Sequence, residues 1–277
     1  MQISSLIKRS ISGGLYVAII ILAILGGAVY VDALALVFAF LAITEFFKIS
    51  HGNIIDIRSI PGLILDIVLG LIIVISPLFS SSLILPVSLF LALFLFRNIV
   101  EIYSKNSEHV KNIALSFFSQ IYIGVPFLAM LLIVEMSGST LLLLPIFIMI
   151  WLNDTGAFIV GSLIGRNSLF KRISPNKSWE GFWGGMLFAV IVGVLFFCFW
   201  SQPEFKIDTL SGWIILSVIV SVFSTWGDLF ESLIKRSLNI KDSGNLIPGH
   251  GGILDRIDSL LFVMPAVVLF LYFILNQ

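Results

Sequence analysis

Charge is scarce in this 277-residue chain: Asp, Glu, Lys and Arg make up 12% of it, against about 25% in an ordinary globular domain. A soluble protein of this length must cover itself with polar surface, yet 58% of the residues are hydrophobic and mean hydropathy is +1.10. The composition excludes one or two soluble domains and leaves a bilayer as the solvent. Cysteine is nearly absent too. Cys198 stands alone in an apolar run, which rules out an intrachain disulfide framework and reads as a small packing residue rather than a reactive thiol. Fixed-period repeats, low-complexity tracts and the Walker A pattern are also missing. The formal net charge is +0, so only the distribution of charge carries information about partners.

Long apolar runs fill the space. A span needs roughly 20 apolar residues, and nine segments qualify: 14–30, 31–47, 61–79, 82–100, 113–134, 140–164, 181–200, 211–230 and 256–275. The expected fold is therefore all-α, a polytopic transmembrane protein of about nine spans. The first two are joined with almost no loop, the split being placed around Tyr30–Asp32. Lys8 and Arg9 precede the first run, but no small-residue cleavage site follows it, so it is read as a retained span rather than a leader. Residues 2–12 are expected to lie along the interface as a short amphipathic stretch. With nine spans, all of the 16 Lys and Arg except Lys206 fall on one side: Lys8, Arg9, Lys48, Arg58, Arg97, Lys105, Lys111, Arg166, Lys171, Arg172, Lys177, Lys235, Arg236, Lys241 and Arg256. That side is expected to be cytoplasmic, with the N-terminus there and the C-terminus outside.

Polar chemistry is unevenly spread along the chain. Residues 1–135 read as a transmembrane scaffold of spans one to five, and residues 136–277 as a catalytic transmembrane region of spans six to nine. In span six, Asp154 sits about ten residues from the cytoplasmic end, roughly 15 Å into the hydrocarbon. An ionisable group at that depth faces a polar cavity or a partner; a helix–helix hydrogen bond made with Asn153 or Thr155 is the plainer alternative. The following loop, Ser174-Pro175-Asn176-Lys177-Ser178-Trp179-Glu180-Gly181, is basic and turn-forming, with Trp179 able to sit at the interface.

Span eight ends with Asp228 and Glu231, span nine begins with Asp255 and Asp258, and each pair is three residues apart on one helical face. Each pair alone could be a solvated helix end. Together they would repel without a cation between them, and their oxygens suit Mg²⁺. Between the spans lie Lys235, Arg236 and Lys241, then Pro248-Gly249-His250-Gly251-Gly252 before a helix start. Glycines there let backbone N–H groups approach a phosphate. His250 could contact that phosphate, act as an acid or cap the turn. Carboxylates, cations and a glycine turn describe phosphoryl or nucleotidyl transfer at a membrane face.

The run from Ser232 through Lys235-Arg236, Lys241-Asp242, Gly244, Pro248, His250-Gly251-Gly252 and Asp255-Arg256-Ile257-Asp258 resembles the signature of the phosphatidate cytidylyltransferase (CDP-diglyceride synthetase) family. Asp154-Thr155 with Ala157, and Ser174-Pro175 with Lys177, Trp179, Glu180 and Gly181, resemble it too. Asn176, Ser178 and Phe158 depart mildly, standing where Lys, Thr and Tyr are usual. The likeness covers about residues 150–260. It implies Mg²⁺-dependent synthesis of CDP-diacylglycerol and pyrophosphate from CTP and phosphatidate, with K⁺ as a candidate companion ion. By the same resemblance Asp228 and Asp255 are the principal metal ligands, Asp258 and Glu231 support them, and a homodimer forms.

Lys235, Arg236, Lys241 and Arg256 join Asp228 and Asp255 as catalytic candidates. Asp154, Ser174, Lys177, Trp179, Glu180, Gly249, His250, Gly251 and Gly252 are the substrate-binding candidates. The expected setting is the cell (inner) membrane, multi-pass, with the site facing the cytoplasm and no nucleic-acid partner. The competing readings are a CTP-using transferase acting on a polyprenol or archaeal lipid, and an anion transporter. The transporter fits less well, because the charge gathers at one face and no inverted repeat is visible.

Overall fold

The computed structural model describes residues 3–52, 60–79, 84–104, 108–200, 202–244, 246 and 251–275. Among the described residues nine helices carry the fold. They are α1 (Ile3–Gly26), α2 (Ala28–Ser50), α3 (Ile60–Ile75, tightening into a 3₁₀ turn at Ser76–Phe79), α4 (Ile84–Ile102) and α5 (His109–Ser137). After these come α6 (Leu143–Ile164), α7 (Trp179–Trp200), α8 (Leu210–Ser237) and α9 (Leu254–Leu275). Eight of them are long and apolar enough to span a bilayer; in α1 the apolar part, Ser10–Gly26, is shorter. Side chains such as Leu22, Leu163, Phe199 and Tyr103 stand exposed, as expected where lipid rather than water is the solvent.

The all-helical expectation holds, with local differences. The break between the first two spans lies at Gly27 rather than at Tyr30–Asp32. Its φ of 98° is one that L-residues resist, so the chain reverses there with no loop at all. The described backbone of the 2–12 stretch is one helix with the first span, not a separate segment. In α5 a π turn at Gln120–Gly124 precedes Pro126, whose missing N–H leaves a carbonyl four residues back without a helical donor. The loop after α6 forms a two-stranded antiparallel hairpin, β1 (Ser168–Phe170) with β2 (Ser174–Ser178), in which Ser168 faces Ser178. Finally, α8 runs to Ser237, which places Lys235 and Arg236 on its last turn rather than in a loop.

Close packing of small residues sets the geometry of the second half. A Cβ on Gly185 of α7 would stand 2.6 Å from the Asn153 carbonyl of α6, so these two helices touch backbone to backbone. Gly227 of α8 likewise faces the Asp258 carbonyl of α9 at 2.6 Å from where a Cβ would be. Aromatic rings tie the two halves together: Phe230 of α8 lies 5.5 Å from Tyr122 of α5 and 5.1 Å from Phe262 of α9, centroid to centroid. The position chosen to divide scaffold from catalytic region, 135/136, falls inside α5.

The first half buries its own polar cluster. Arg97 of α4 meets Asp66 of α3 at 3.2 Å and Glu101 at 2.8 Å, each of the three at most 5% exposed. Asn112 and His109 reach the other Glu101 oxygen, Ser116 donates to Asp66, and Gln120 donates to the Asp66 carbonyl at 3.0 Å.

Candidate active site

A cavity of about 530 Å³ opens between the hairpin and the ends of α6, α8 and α9, within the size range of small-molecule sites. Its wall is built from four places distant in sequence. From α6 comes Asp154, beside Asn153, whose side-chain oxygen accepts from Ser221 of α8 at 2.6 Å. The hairpin supplies Ser174 and Lys177, α8 supplies Asp228 and Lys235, and α9 supplies Asp255, Arg256 and Asp258.

The charges are interlocked across these elements. The Lys177 ammonium lies 2.5 Å from Asp228, tying the hairpin to α8. The Lys235 ammonium bridges Glu231, one helical turn earlier, and Asp255 of α9, each at 2.6 Å. The Gly227 contact explains the spacing of the acids: with no side chain there, α8 approaches α9 closely enough to bring Asp228 and Asp258 to one wall. Asp154, Asp228, Glu231, Asp255 and Asp258 outnumber Lys177, Lys235 and Arg256, so the region carries surplus negative charge that a bound cation would relieve.

A smaller cavity of about 260 Å³ lies on the other side of the same charged wall. Asp154, Asp255, Arg256 and Asp258 border both spaces, but the smaller one is otherwise lined by Ser12, Gly13, Tyr16 and Val17 of α1, by Phe147, Ile150 and Trp151 of α6 and by Ser259 and Leu260 of α9. The Tyr16 hydroxyl donates to the Arg256 carbonyl at 3.0 Å, fixing α1 against α9. One row of charges thus separates a polar chamber from a mainly apolar one.

Several candidates fall elsewhere. Trp179 stands 43% exposed outside the cavity wall, edge-on to Phe182 at 5.8 Å. Glu180 is also off the wall: its carboxylate accepts from the backbone N–H groups of Arg166 and Asn167 and from the Asn167 side chain at 2.7 Å, pinning the start of the hairpin. Arg236 points outward and donates to the Ile240 carbonyl at 3.4 Å. Lys241 borders a separate hollow beside Thr44, Glu45 and Lys48. Glu231 is 2% exposed and supports Lys235 from behind rather than lining the cavity, with its Oε1 lacking a hydrogen-bond partner. Gly249 and His250 lie outside the described residues.

The described end of the glycine turn before α9, Gly251 and Gly252, is already occupied by carboxylates of the protein itself. The Gly252 N–H donates to Asp255 at 2.9 Å, and a Cβ on Gly251 (φ 82°) would meet the same carboxylate at 2.6 Å. The N–H groups of Ile253 and Leu254 donate to Glu45 of α2 at 2.9 and 3.0 Å. The N–H groups of Gly252, Ile253 and Leu254 are therefore spent on carboxylates. Glu45 is absent from the sequence reading, although an acid inside an apolar span carries the same signal that marks out Asp154.

Among the described residues no three acidic, histidine or cysteine side chains converge as a ready-made metal cluster. The donor chemistry still fits Mg²⁺, which commonly takes one or two carboxylates and completes its shell with water and substrate phosphates. Asp228, Asp255 and Asp258 on one wall offer such oxygens.

Comparison with known proteins agrees with this geometry. The family model described as "Cytidylyltransferase family" matches residues 7–274, so it includes the first half as well as the cavity. A phosphatidate cytidylyltransferase of Staphylococcus saprophyticus is 36% identical over 244 residues, covering 87% of this chain and 90% of that protein. One from Staphylococcus haemolyticus is 35% identical over 235 residues (83% and 86%), and one from Staphylococcus aureus is 35% identical over 246 (87% and 90%). With a match that runs through every helix contributing to the charged wall, this multi-pass membrane chain belongs to the cytidylyltransferase family.

Proposed function

We propose that the chain transfers the cytidylyl group of CTP to phosphatidate at the charged wall, releasing pyrophosphate and making CDP-diacylglycerol. The observation that carries this reading is the pair of chambers sharing Asp154, Asp255, Arg256 and Asp258. A water-soluble nucleotide suits the polar chamber under the hairpin, and the acyl-bearing part of a phospholipid suits the more apolar one between α1 and α6, with its phosphate at the shared charges. Their phosphates then meet at the residues common to both.

The chemistry asks little of acid–base groups. A phosphate monoester is anionic near neutrality, so its oxygen attacks the α-phosphorus of CTP directly. A new P–O–P bond forms, the bond to the β-phosphate oxygen breaks, and pyrophosphate leaves with the electron pair. The obstacle is repulsion between two polyanions; Arg256 supplies positive charge at the wall common to both chambers, and Lys177 and Lys235 supply it within the larger one. A magnesium ion held by Asp228, Asp255 and Asp258 would add further charge neutralisation at the reacting phosphates. Glu231 steadies Lys235, and Glu180 holds the hairpin that presents Lys177. The bias of Lys and Arg among the sequence's loops supports a chamber that faces the cytoplasm.

The deciding experiment gives purified protein in phospholipid vesicles CTP, Mg²⁺ and phosphatidate, and follows pyrophosphate and CDP-diacylglycerol. Both should appear in equal amounts and depend on each of the three additions. Turnover on a polyprenyl phosphate with none on phosphatidate would overturn the assignment of the lipid.

A further inference from the structure

Glu45 belongs to α2, in the half of the chain that reads as scaffold, yet it contacts the segment leading into the site. It is 7% exposed, and a carboxylate buried among apolar helices is costly unless its oxygens are satisfied. Both are. Oε2 accepts from the Ile253 N–H at 2.9 Å; Oε1 accepts from the Leu254 N–H at 3.0 Å and lies 2.5 Å from the Ser243 hydroxyl. The two N–H groups open α9, whose N-terminal dipole favours an anion.

The Ser243 hydroxyl connects this carboxylate to the site. It lies 2.9 Å from Asp255 Oδ2, which also receives the backbone N–H groups of Ser243 at 3.0 Å and Gly252 at 2.9 Å. Asp255 Oδ1 is left to face Lys235. Glycine placement supports the arrangement independently. A Cβ on Gly244 would stand 2.8 Å from Glu45 Oε2, and one on Gly252 would overlap both the Glu45 carboxylate and the Ser243 hydroxyl. Two glycines on either side of the turn are therefore explained by the room this one side chain needs.

We propose that Glu45 is a positioning residue: it clasps Ser243 and the start of α9, and through them fixes the Asp255 carboxylate on the cavity wall. The proposal rests on the reading of Asp255 as part of the cytidylyl-transfer site. Glu45 touches neither substrate nor the reacting phosphates; it acts by removing the freedom of the segment that carries Asp255. Replacement by Gln keeps shape and volume but turns one acceptor into an NH₂ donor facing donors. That loosens the clasp without opening a cavity.

The test compares wild type, Glu45→Gln, Ser243→Ala and the double variant in the vesicle assay, with thermal unfolding in detergent run alongside. Glu45→Gln should lower kcat about tenfold to a hundredfold, the range of loss when a residue orienting a ligand is removed, while KM for CTP moves less than about threefold. Ser243→Ala should show the same split to a smaller degree. In the double variant the losses should fall well short of multiplying, because both act through one contact. Wild-type kcat in Glu45→Gln, or fully multiplying losses, would overturn the proposal. Should Glu45→Gln fail to fold, Ser243→Ala decides alone: undiminished kcat there refutes the clasp. Absence of CDP-diacylglycerol synthesis by wild type would instead refute the function, so the two failures are told apart.

Discussion

Around Arg97 one guanidinium meets Asp66 and Glu101, with Asn112, His109 and Ser116 taking up carboxylate oxygens, and each of the three central charges is at most 5% exposed. Around Lys177 and Lys235 the same residue types gather on α6, α8, α9 and the hairpin, but here carboxylates face the open volume of two chambers. Both clusters sit in apolar helices where charge is expensive. The first resolves the cost by pairing internally and contributes a joint between α3, α4 and α5. The second keeps carboxylates facing open volume, which pays only if something cationic and phosphorylated arrives. A cluster buried on all sides marks a structural joint; carboxylates that face open volume mark a site.

The largest effect should come from Asp228→Asn. This change removes a cavity carboxylate and the anchor of Lys177, and turnover should fall by at least about 10²–10³-fold, the scale for removing one charge-stabilising group from a reaction centre. The protein should remain folded by thermal unfolding in detergent, since Asp228 is only partly buried. Near-normal activity would break the contrast by making the open cluster as structural as the closed one.

Arg97→Met should show the reverse pattern. Two buried acids lose their cation, and breaking a buried pair from one side costs about 3–5 kcal/mol. Denaturant unfolding in detergent should register that loss, while kcat per folded molecule stays within about twofold. A folded variant with abolished turnover would join the two clusters into one functional unit.

Much of this contrast was legible in the sequence, but not all for the same reason. Asp154, Asp228, Asp255 and Asp258 stand out because an acid inside or at the end of an apolar run has few explanations, and all four line the cavity. Helix number was readable from run length, since hydrocarbon thickness fixes it. The break at Gly27 was displaced because hydropathy is blind to a single positive φ. The hairpin was invisible because strands of three and five residues carry no periodicity. Lys235 was assigned to a loop where apolarity stops, whereas the Glu231–Lys235 pair continues α8 by one further turn. Trp179 and Glu180 were chosen for their place in a motif, and a motif does not say which face a side chain turns to. Glu45 was the costliest omission. It was hidden because its partners lie some two hundred residues away, at separations of 198 to 209.

The smallest effect belongs to Lys206, the one Lys or Arg that a nine-span topology would put on the opposite side of the membrane. It sits in the α7–α8 connection, exposed, with its ammonium donating to the Met136 carbonyl at 2.7 Å. The 22 residues of α7 separate it from the hairpin, which at 1.5 Å per residue is about 33 Å. Over that distance an exposed charge is screened several times over at physiological salt. Lys206→Ala should therefore leave kcat and KM for CTP within about twofold of wild type and change stability by no more than about 0.5 kcal/mol. Vesicle kinetics and denaturant unfolding read both. A large fall in turnover would mean that the far end of the bundle takes part in the reaction. The division into one reactive face and an inert remainder would then fail.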